Sequence, residues 1–362
     1  MAFEKIIGQK RVKKTLERSL TSKRVPHALL FSGGEGVGKE AMAVEIACAL
    51  ICRNDEYFAC GQCNDCRRIA QLSHPDVNFL FPATSKITPA EHKEIINSIA
   101  QNPYMRLKPW ASPSISIHQV RELKRTSALT SFENKGRVII IAEAHRMTTE
   151  AANSLLKILE EPPPNMTIIL TSSQPNLLLS TITSRCQSLK FDPISWQEIE
   201  NALIQQKEIT PVRAQLVAKL SFSSYRRALE LLEEDFEQKR NKILDILRTI
   251  IRSDLDRLML MEQLVKKEDK KTIKDLLELL LLWFRDILIY LDGDKDNNLI
   301  VNIDQLETLD KFCNSFEKPD IEVIVSKIEE AIYLFDRNVY LNLILINLFY
   351  SLKHNLRRKK SA

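Results

Sequence analysis

From Val25 to Ala49 the apolar residues first run together, as Ala28-Leu-Leu-Phe31, then break at a glycine-rich turn, then recur at helical spacing. Strand, turn and helix are the predicted elements. Two further apolar runs, Arg137-Val-Ile-Ile-Ile-Ala-Glu-Ala-His145 and Met166-Thr-Ile-Ile-Leu-Thr-Ser172, have the continuous aliphatic character of strands buried on both faces of a parallel sheet. Between them, Thr148 to Glu161 carries a helical repeat that Pro162-Pro163-Pro164 stops, because proline lacks a backbone N–H and clashes with the preceding turn. The alternation predicts an open α/β sheet. Such sheets bind ligands beyond the carboxyl ends of their strands, so Lys39, Glu143 and Thr171 are expected near one another.

After Phe191-Asp-Pro193 the β-branched runs give way to amphipathic helical patterns that continue to the end of the chain. A boundary is expected there: an α/β domain over 1–191, a small helical domain over 192–236 in which Ser223–Leu229 opens a helix, and longer helices over 237–362. The longer helices include Ile273–Leu291 and Ile321–Lys353. The most apolar run, Leu276–Leu291, contains Glu278, Arg285 and Asp286. A spanning helix needs roughly 20 mostly apolar residues, so this one reads as a buried helix.

Composition adds limits. With 362 residues, 44% hydrophobic and 27% charged, the chain suits two or three globular domains, and eight glycines argue against long flexible linkers. A net charge of +5 permits nucleic-acid contact without requiring it, and the runs Lys10-Arg11-Val-Lys13-Lys14 and Arg357-Arg358-Lys359-Lys360 read as solvated. The N-terminal residues carry no apolar core of export-signal length, so a cytoplasmic location and no membrane partner are expected.

Candidate chemistry begins at Phe31-Ser-Gly-Gly-Glu-Gly-Val-Gly-Lys-Glu40, a phosphate-binding loop by its Gly33, Gly38 and Lys39. In such loops backbone N–H groups cradle phosphates, the lysine reaches the outer ones and a closing Ser or Thr hydroxyl ligates Mg²⁺. Glu40 stands where that hydroxyl belongs. At the end of the second run, where an aspartate would share the same ion, the chain has Ala142, while Glu143 keeps the position of a water-polarising carboxylate. Two altered ligand positions for one metal ion argue against ATP hydrolysis and leave ATP binding open, unless Glu40 itself holds the metal.

Seven cysteines include a cluster with the spacing C-x7-C-x2-C-x2-C: Cys52, Cys60, Cys63 and Cys66. Four thiolates so spaced suit tetrahedral Zn²⁺ at about 2.3 Å and leave no open coordination position, so a structural role is expected. Cys48, one helical turn before Cys52, could substitute as a ligand, but its apolar setting suits a buried free thiol. Asp292, Asp294 and Asp296 open like a calcium loop, yet Asn297 and Ile303 replace the required glycine and glutamate, leaving a polar turn. Arg185, in Ser184-Arg185-Cys186, is either a surface residue or an arginine finger for a neighbouring subunit.

Ile7-Gly8-Gln9, Arg24-Val-Pro-His-Ala-Leu-Leu30, the altered phosphate loop, the four cysteines, His74-Pro-Asp76, Asn153–Pro163 and Thr181–Cys186 together resemble the clamp-loader branch of the AAA+ family, specifically over about residues 1–230. The resemblance implies a RecA-like AAA+ domain with a zinc-binding insertion at 52–66, a helical lid and an all-α C-terminal collar. It also implies a non-hydrolysing place in a hetero-pentamer with gamma/tau and delta subunits, which loads a sliding clamp onto primed DNA. Arg185 would then be offered in trans. Thr171 or Ser172 would match one sensor, and Arg226 or Arg227 the second. Tyr340–Phe349, apolar on nearly all sides, would suit burial in the collar between subunits or equally the core of its own domain. The alternative within the same family is an ATP-hydrolysing motor subunit.

Overall fold

Five short strands line up in parallel in the order β2-β3-β4-β1-β5: β1 (Ala28–Ser32), β2 (Val77–Leu80), β3 (Arg137–Ile141), β4 (Met166–Ser172) and β5 (Gln187–Lys190). They belong to a computed structural model that describes residues 3–53, 57–84, 86–105, 110, 112–127, 136–207, 209–233, 236–292, 300–316, 319–337 and 339–356. Every residue of β1 and β3 is buried, which is why those strands are mostly apolar, with Ser32 and Arg137 at their ends. The edge strands β2 and β5 are not recognisable as apolar runs. β5 (Gln-Ser-Leu-Lys) is largely exposed, and only Val77 of β2 is fully buried. Polar, short edges of this kind discourage pairing with another sheet.

The helices in this part of the chain are α1 (Lys10–Thr21), α2 (Lys39–Ile51), α3 (Asn64–Ala70), α4 (Pro89–Gln101), α5 (Ile117–Ser127), α6 (Thr149–Glu160), α7 (Ser180–Thr183), α8 (Trp196–Lys207), α9 (Pro211–Leu220) and α10 (Tyr225–Glu233). On one face Val120 and Leu123 of α5 and Leu155, Ile158 and Leu159 of α6 pack on Leu30, Ile139, Ile141, Ile168 and Leu170. Burying each such side chain contributes about 1.5–3 kcal/mol. Register then sets the level of the strand ends. Ile141 pairs with Leu170, and Phe31 pairs with Thr171, so Ala142, Thr171 and Phe31 form one row where the glycine loop begins.

By internal contacts the chain divides into two compact units, Met1–Glu230 and Leu231–Ala362. The second contains α11 (Phe236–Ile250), α12 (Asp254–Lys267), α13 (Lys270–Leu291), α14 (Leu306–Asn314), α15 (Ile321–Asp336) and α16 (Leu341–Asn355). The apolar run is the 22-residue α13, packed against α11, α14 and α15. Its Asp286 is fully buried, and its carboxylate accepts backbone N–H bonds from Val301 (2.9 Å) and Asn302 (2.8 Å). A buried charge so satisfied belongs to a protein interior. Among the described residues no helix is long and apolar enough to cross a membrane.

The expected single helix Ile321–Lys353 is two. α15 ends at Asp336, where the N–H groups of Arg337 and Val339 both bond back to the Leu334 carbonyl, and α16 starts after Tyr340. The Val339 bond is a helix-terminating closure that a non-glycine sequence can also make. Of the aspartate turn, Asp292 caps the end of α13, while Asp294 and Asp296 lie outside the described residues, as do Arg357–Lys360.

Candidate functional site: a closed phosphate loop and a cysteine cluster

β1 ends at Ser32, and the chain turns through Gly33–Gly38 into α2, whose N-cap is Gly38 in the left-handed region (φ 94°). A Cβ at Gly38 would lie 2.8 Å from the Tyr104 hydroxyl, so the position excludes any larger residue. Lys39 is buried, and its Nζ donates to the carbonyls of Gly33 (2.9 Å) and Gly34. Burial lowers its pKa, and the neighbouring Glu40 carboxylate opposes that shift.

Glu40 is buried too, and its Oε1 accepts a 2.7 Å bond from the Thr171 hydroxyl at the tip of β4. The same hydroxyl accepts the Glu143 N–H at 3.1 Å. Glu143 stands in the left-handed region (φ 48°), and its carboxylate lies 2.7 Å from Arg146 Nε. Ala142, fully buried, offers only backbone, and its N–H bonds to the Leu80 carbonyl. Ser172 faces His145 Nδ1 at 3.3 Å, and burial lowers the pKa of that imidazole. Lys39, Glu40, Glu143 and Thr171 thus meet at the carboxyl ends of the strands.

The loop is also gripped from a distance. Arg226 donates from Nε to the Tyr104 carbonyl and from Nη1 to Glu35 Oε2, both at 3.0 Å, and Arg227 lies 3.5 Å from Glu230 on its own helix. The Tyr225 N–H donates to the Gly36 carbonyl at 3.1 Å. Tyr104 accepts the Ile7 N–H at 2.9 Å and packs its ring edge-on to Tyr225 at 5.1 Å. Gln9 donates to the Val37 and Asp192 carbonyls. Glu35, Tyr104 and Gln9 were not singled out by sequence reasoning as members of this group.

Arg185 stands apart, just after α7. Its Nη2 pairs with Glu160 Oε1 of α6 at 2.8 Å, its Nη1 donates to the Thr181 carbonyl at 2.9 Å, and about a third of the side chain (36%) is exposed.

The Sγ atoms of Cys52, Cys60, Cys63 and Cys66 all lie within 4.8 Å of one another. Cys52 to Cys63 is 4.0 Å and Cys60 to Cys66 is 3.9 Å, close to the roughly 3.8 Å edge of a tetrahedron of thiolates around an ion at about 2.3 Å. Backbone N–H groups point at the sulfurs: Cys60 to Cys52, Cys63 to Cys60 and Cys66 to Cys63, at 3.3–3.4 Å. Burial alone would raise the Cys63 thiol, but the N–H groups of Cys66 and Arg53 bring it down to about 6, whereas burial pushes the Cys66 thiol up, so binding a metal would release that proton. Cys63 also caps α3. Behind the cluster, fully buried Asp65 accepts Arg53 Nε at 2.7 Å and faces His74 Nε2 at 3.8 Å. His74 Nδ1 takes the Asp76 N–H, and Asp76 faces Arg137 at 3.5 Å. The His-Pro-Asp stretch thereby ties the cysteine module to the start of β2 and β3.

Cys48 is outside this tetrad. It is buried on α2 and bonds to the Cys66 carbonyl at 3.9 Å, and burial first, then Glu45, pushes its thiol up to about 12. In the native protein at pH 8, Cys48 is expected to resist iodoacetamide for hours and to react within minutes once the chain is unfolded, as read by mass spectrometry. Rapid native labelling would contradict its placement.

Residues 8–195 match the protein family described as DNA polymerase III, delta subunit. The chain belongs to that family. It is 32% identical to DNA polymerase III subunit delta′ of Bacillus subtilis (strain 168), a match covering 80% of this chain and 79% of that protein. Subunit tau of the same organism is 27% identical over 80% of this chain and 50% of its own length. A solved DNA polymerase III gamma subunit-related protein from Thermotoga maritima is 17% identical, with a TM-score of 0.42, over 94% of this chain and 98% of that one. This delta-subunit family member combines a glycine loop bonded by Lys39, Glu35 and Arg226 with a four-thiol cluster.

Proposed function

We propose that the chain is a non-hydrolysing, delta-prime-type subunit of a replicative clamp loader in the cytoplasm. It offers Arg185 in trans to an ATP site on a neighbouring subunit. The observation that carries this reading is the row of strand ends. The position for one Mg²⁺ ligand holds the methyl group of Ala142, and that for the other holds Glu40, already engaged by Thr171. A missing metal charge costs several kcal/mol of transition-state stabilisation, and each ~1.4 kcal/mol is about tenfold in rate.

Around that centre we propose a RecA-like AAA+ domain at 1–191, a lid at 192–236 and a collar at 237–362. Packed together, α12 and α16 leave Leu255, Met259, Leu343 and Tyr350 exposed, which supports burial against other subunits. Partners on this reading are gamma/tau and delta subunits in a hetero-pentamer, the sliding clamp and primed DNA. The ion of the cysteine cluster is Zn²⁺, held structurally by Cys52, Cys60, Cys63 and Cys66.

The second reading, an ATP-hydrolysing motor subunit, draws on the retained Lys39 and requires Glu40 to leave Thr171 and ligate the metal. Phosphate release from Mg-ATP by the isolated chain separates the two. No turnover above a protein-free control is expected. Turnover that Lys39→Ala abolishes would overturn the proposal in favour of the motor.

A further inference from the structure

A glycine loop entering the N-terminus of a helix attracts negative charge, because several N–H groups converge there and the helix dipole adds to them. In this chain the loop itself contains two carboxylates, at Glu35 and Glu40, and both are engaged. Glu40, only 8% exposed, sits in the first turn of α2 with the Thr171 hydroxyl on its Oε1 at 2.7 Å and Lys39 beside it. A carboxylate buried to that degree persists only where charge and hydrogen bonds compensate it. Glu35 lies 3.0 Å from Nη1 of Arg226, which is 9% exposed and has its Nε on the Tyr104 carbonyl. A guanidinium so buried would be left uncompensated without that anion.

We propose that this phosphate loop carries its own ligand. The Glu35 and Glu40 carboxylates take, in cis, the guanidinium and hydroxyl partners that a phosphate group on this loop would use, the loop's own Gly33 and Gly34 carbonyls take the Lys39 ammonium, and together they hold the start of α10 on the loop without nucleotide. Arg226 is paired with Glu35, and Lys39 is bonded to the loop's own carbonyls with Glu40 as its nearest opposing charge, so an incoming phosphate must displace partners that both cations already have. Close packing seals the contact. The Gly36 carbonyl accepts the Tyr225 N–H, and a Cβ on Gly36 would stand 2.1 Å from Ser224 Oγ and 2.7 Å from Arg226 Cβ. In a nucleotide-dependent relative of such a device α10 would be drawn in only when the anion arrives. In this chain the drawn-in arrangement is built into the sequence.

The inference deepens the non-hydrolysing reading and rests on it, so both are measured in the same samples of full-length chain. Backbone hydrogen–deuterium exchange of residues 225–230 reports on the latch, and phosphate release from Mg-ATP reports on the wider reading alone. Glu35→Gln keeps the side-chain shape and removes the charge. It is expected to speed exchange at 225–230 about tenfold, with amides 138–141 of β3 unchanged. Arg226→Gln should do the same, and the double variant no more than either single one. Inorganic pyrophosphate at millimolar concentration is expected to restore protection in Glu35→Gln and to change nothing in the wild type. Unchanged exchange in Glu35→Gln, additive effects in the double variant, or equal protection of the wild type by pyrophosphate would each overturn the proposal.

Discussion

If Arg185 is offered in trans as proposed, Arg185→Ala is expected to slow ATP hydrolysis at the neighbouring site by about a thousandfold or more, the range known for arginine fingers being ~10³–10⁵. In single-turnover phosphate release from the assembled loader, one class of sites should fall silent while the others keep their rate. The size follows from chemistry. A planar, permanently charged guanidinium neutralises the spreading charge on a transferring phosphoryl group at a point where water is absent. Arg185→Lys should recover little, because an ammonium is a point charge without the bidentate fork. The resting contact is no obstacle. The Arg185–Glu160 pair is 36% and 48% exposed on its two sides, and pairs of that kind contribute only about 0–1 kcal/mol. Glu160→Ala should therefore change turnover by less than a few-fold. An assembled loader that turns over normally with Arg185→Ala removes the trans-finger mechanism.

Stripping the metal should have the largest structural effect. Purified chain is expected to carry one Zn²⁺, and Cys63→Ser, or prolonged chelation, should release it and open residues 52–70 to proteolysis while the sheet survives. α3 has seven residues, and isolated helices shorter than about 12–15 residues are marginal in water. The segment is expected to draw much of its order from metal on the four thiolates, beside the Asp65 contacts to Arg53 and His74, because apparent zinc-binding energies in small zinc modules reach about 10–16 kcal/mol. Elemental analysis together with limited proteolysis checks both halves. A metal-free chain whose 52–70 segment stays protected would show that the cysteines hold together without an ion.

How far the sequence led depended on where each residue's partners lay. β1, β3 and β4 were legible because strands buried on both faces must be aliphatic, whereas β2 and β5 lie at the edges, where polar residues suffice. The break between α15 and α16 was hidden because no glycine or proline stands in Asp336–Tyr340. The central site was readable at Lys39, Glu40, Ala142, Glu143 and Thr171, since each occupies a strand end or helix start that a motif locates. The outer grip was not. Arg226 reaches Glu35 across 191 positions and Tyr104 across 122, and neither partner carries a local signal of its role. Glu40 changed most in meaning. From sequence it intrudes on an anion site, and in the fold it is buried and accepts the Thr171 hydroxyl.

β5 begins two residues after Arg185 and pairs in parallel with β1, Leu29 opposite Gln187 through Ser32 opposite Lys190, while β1 runs on into the glycine loop. The arginine and the chain's own loop therefore stand at opposite ends of a backbone ladder roughly 13 Å long, at about 3.3 Å per residue. Such a ladder is a fixed spacer. It keeps the guanidinium out of reach of its own loop and makes the interval between loop and arginine a property of main-chain hydrogen bonds, insensitive to side-chain substitution. In a ring of subunits that interval would act as a gauge, setting how far one member must step around its neighbour before the two engage.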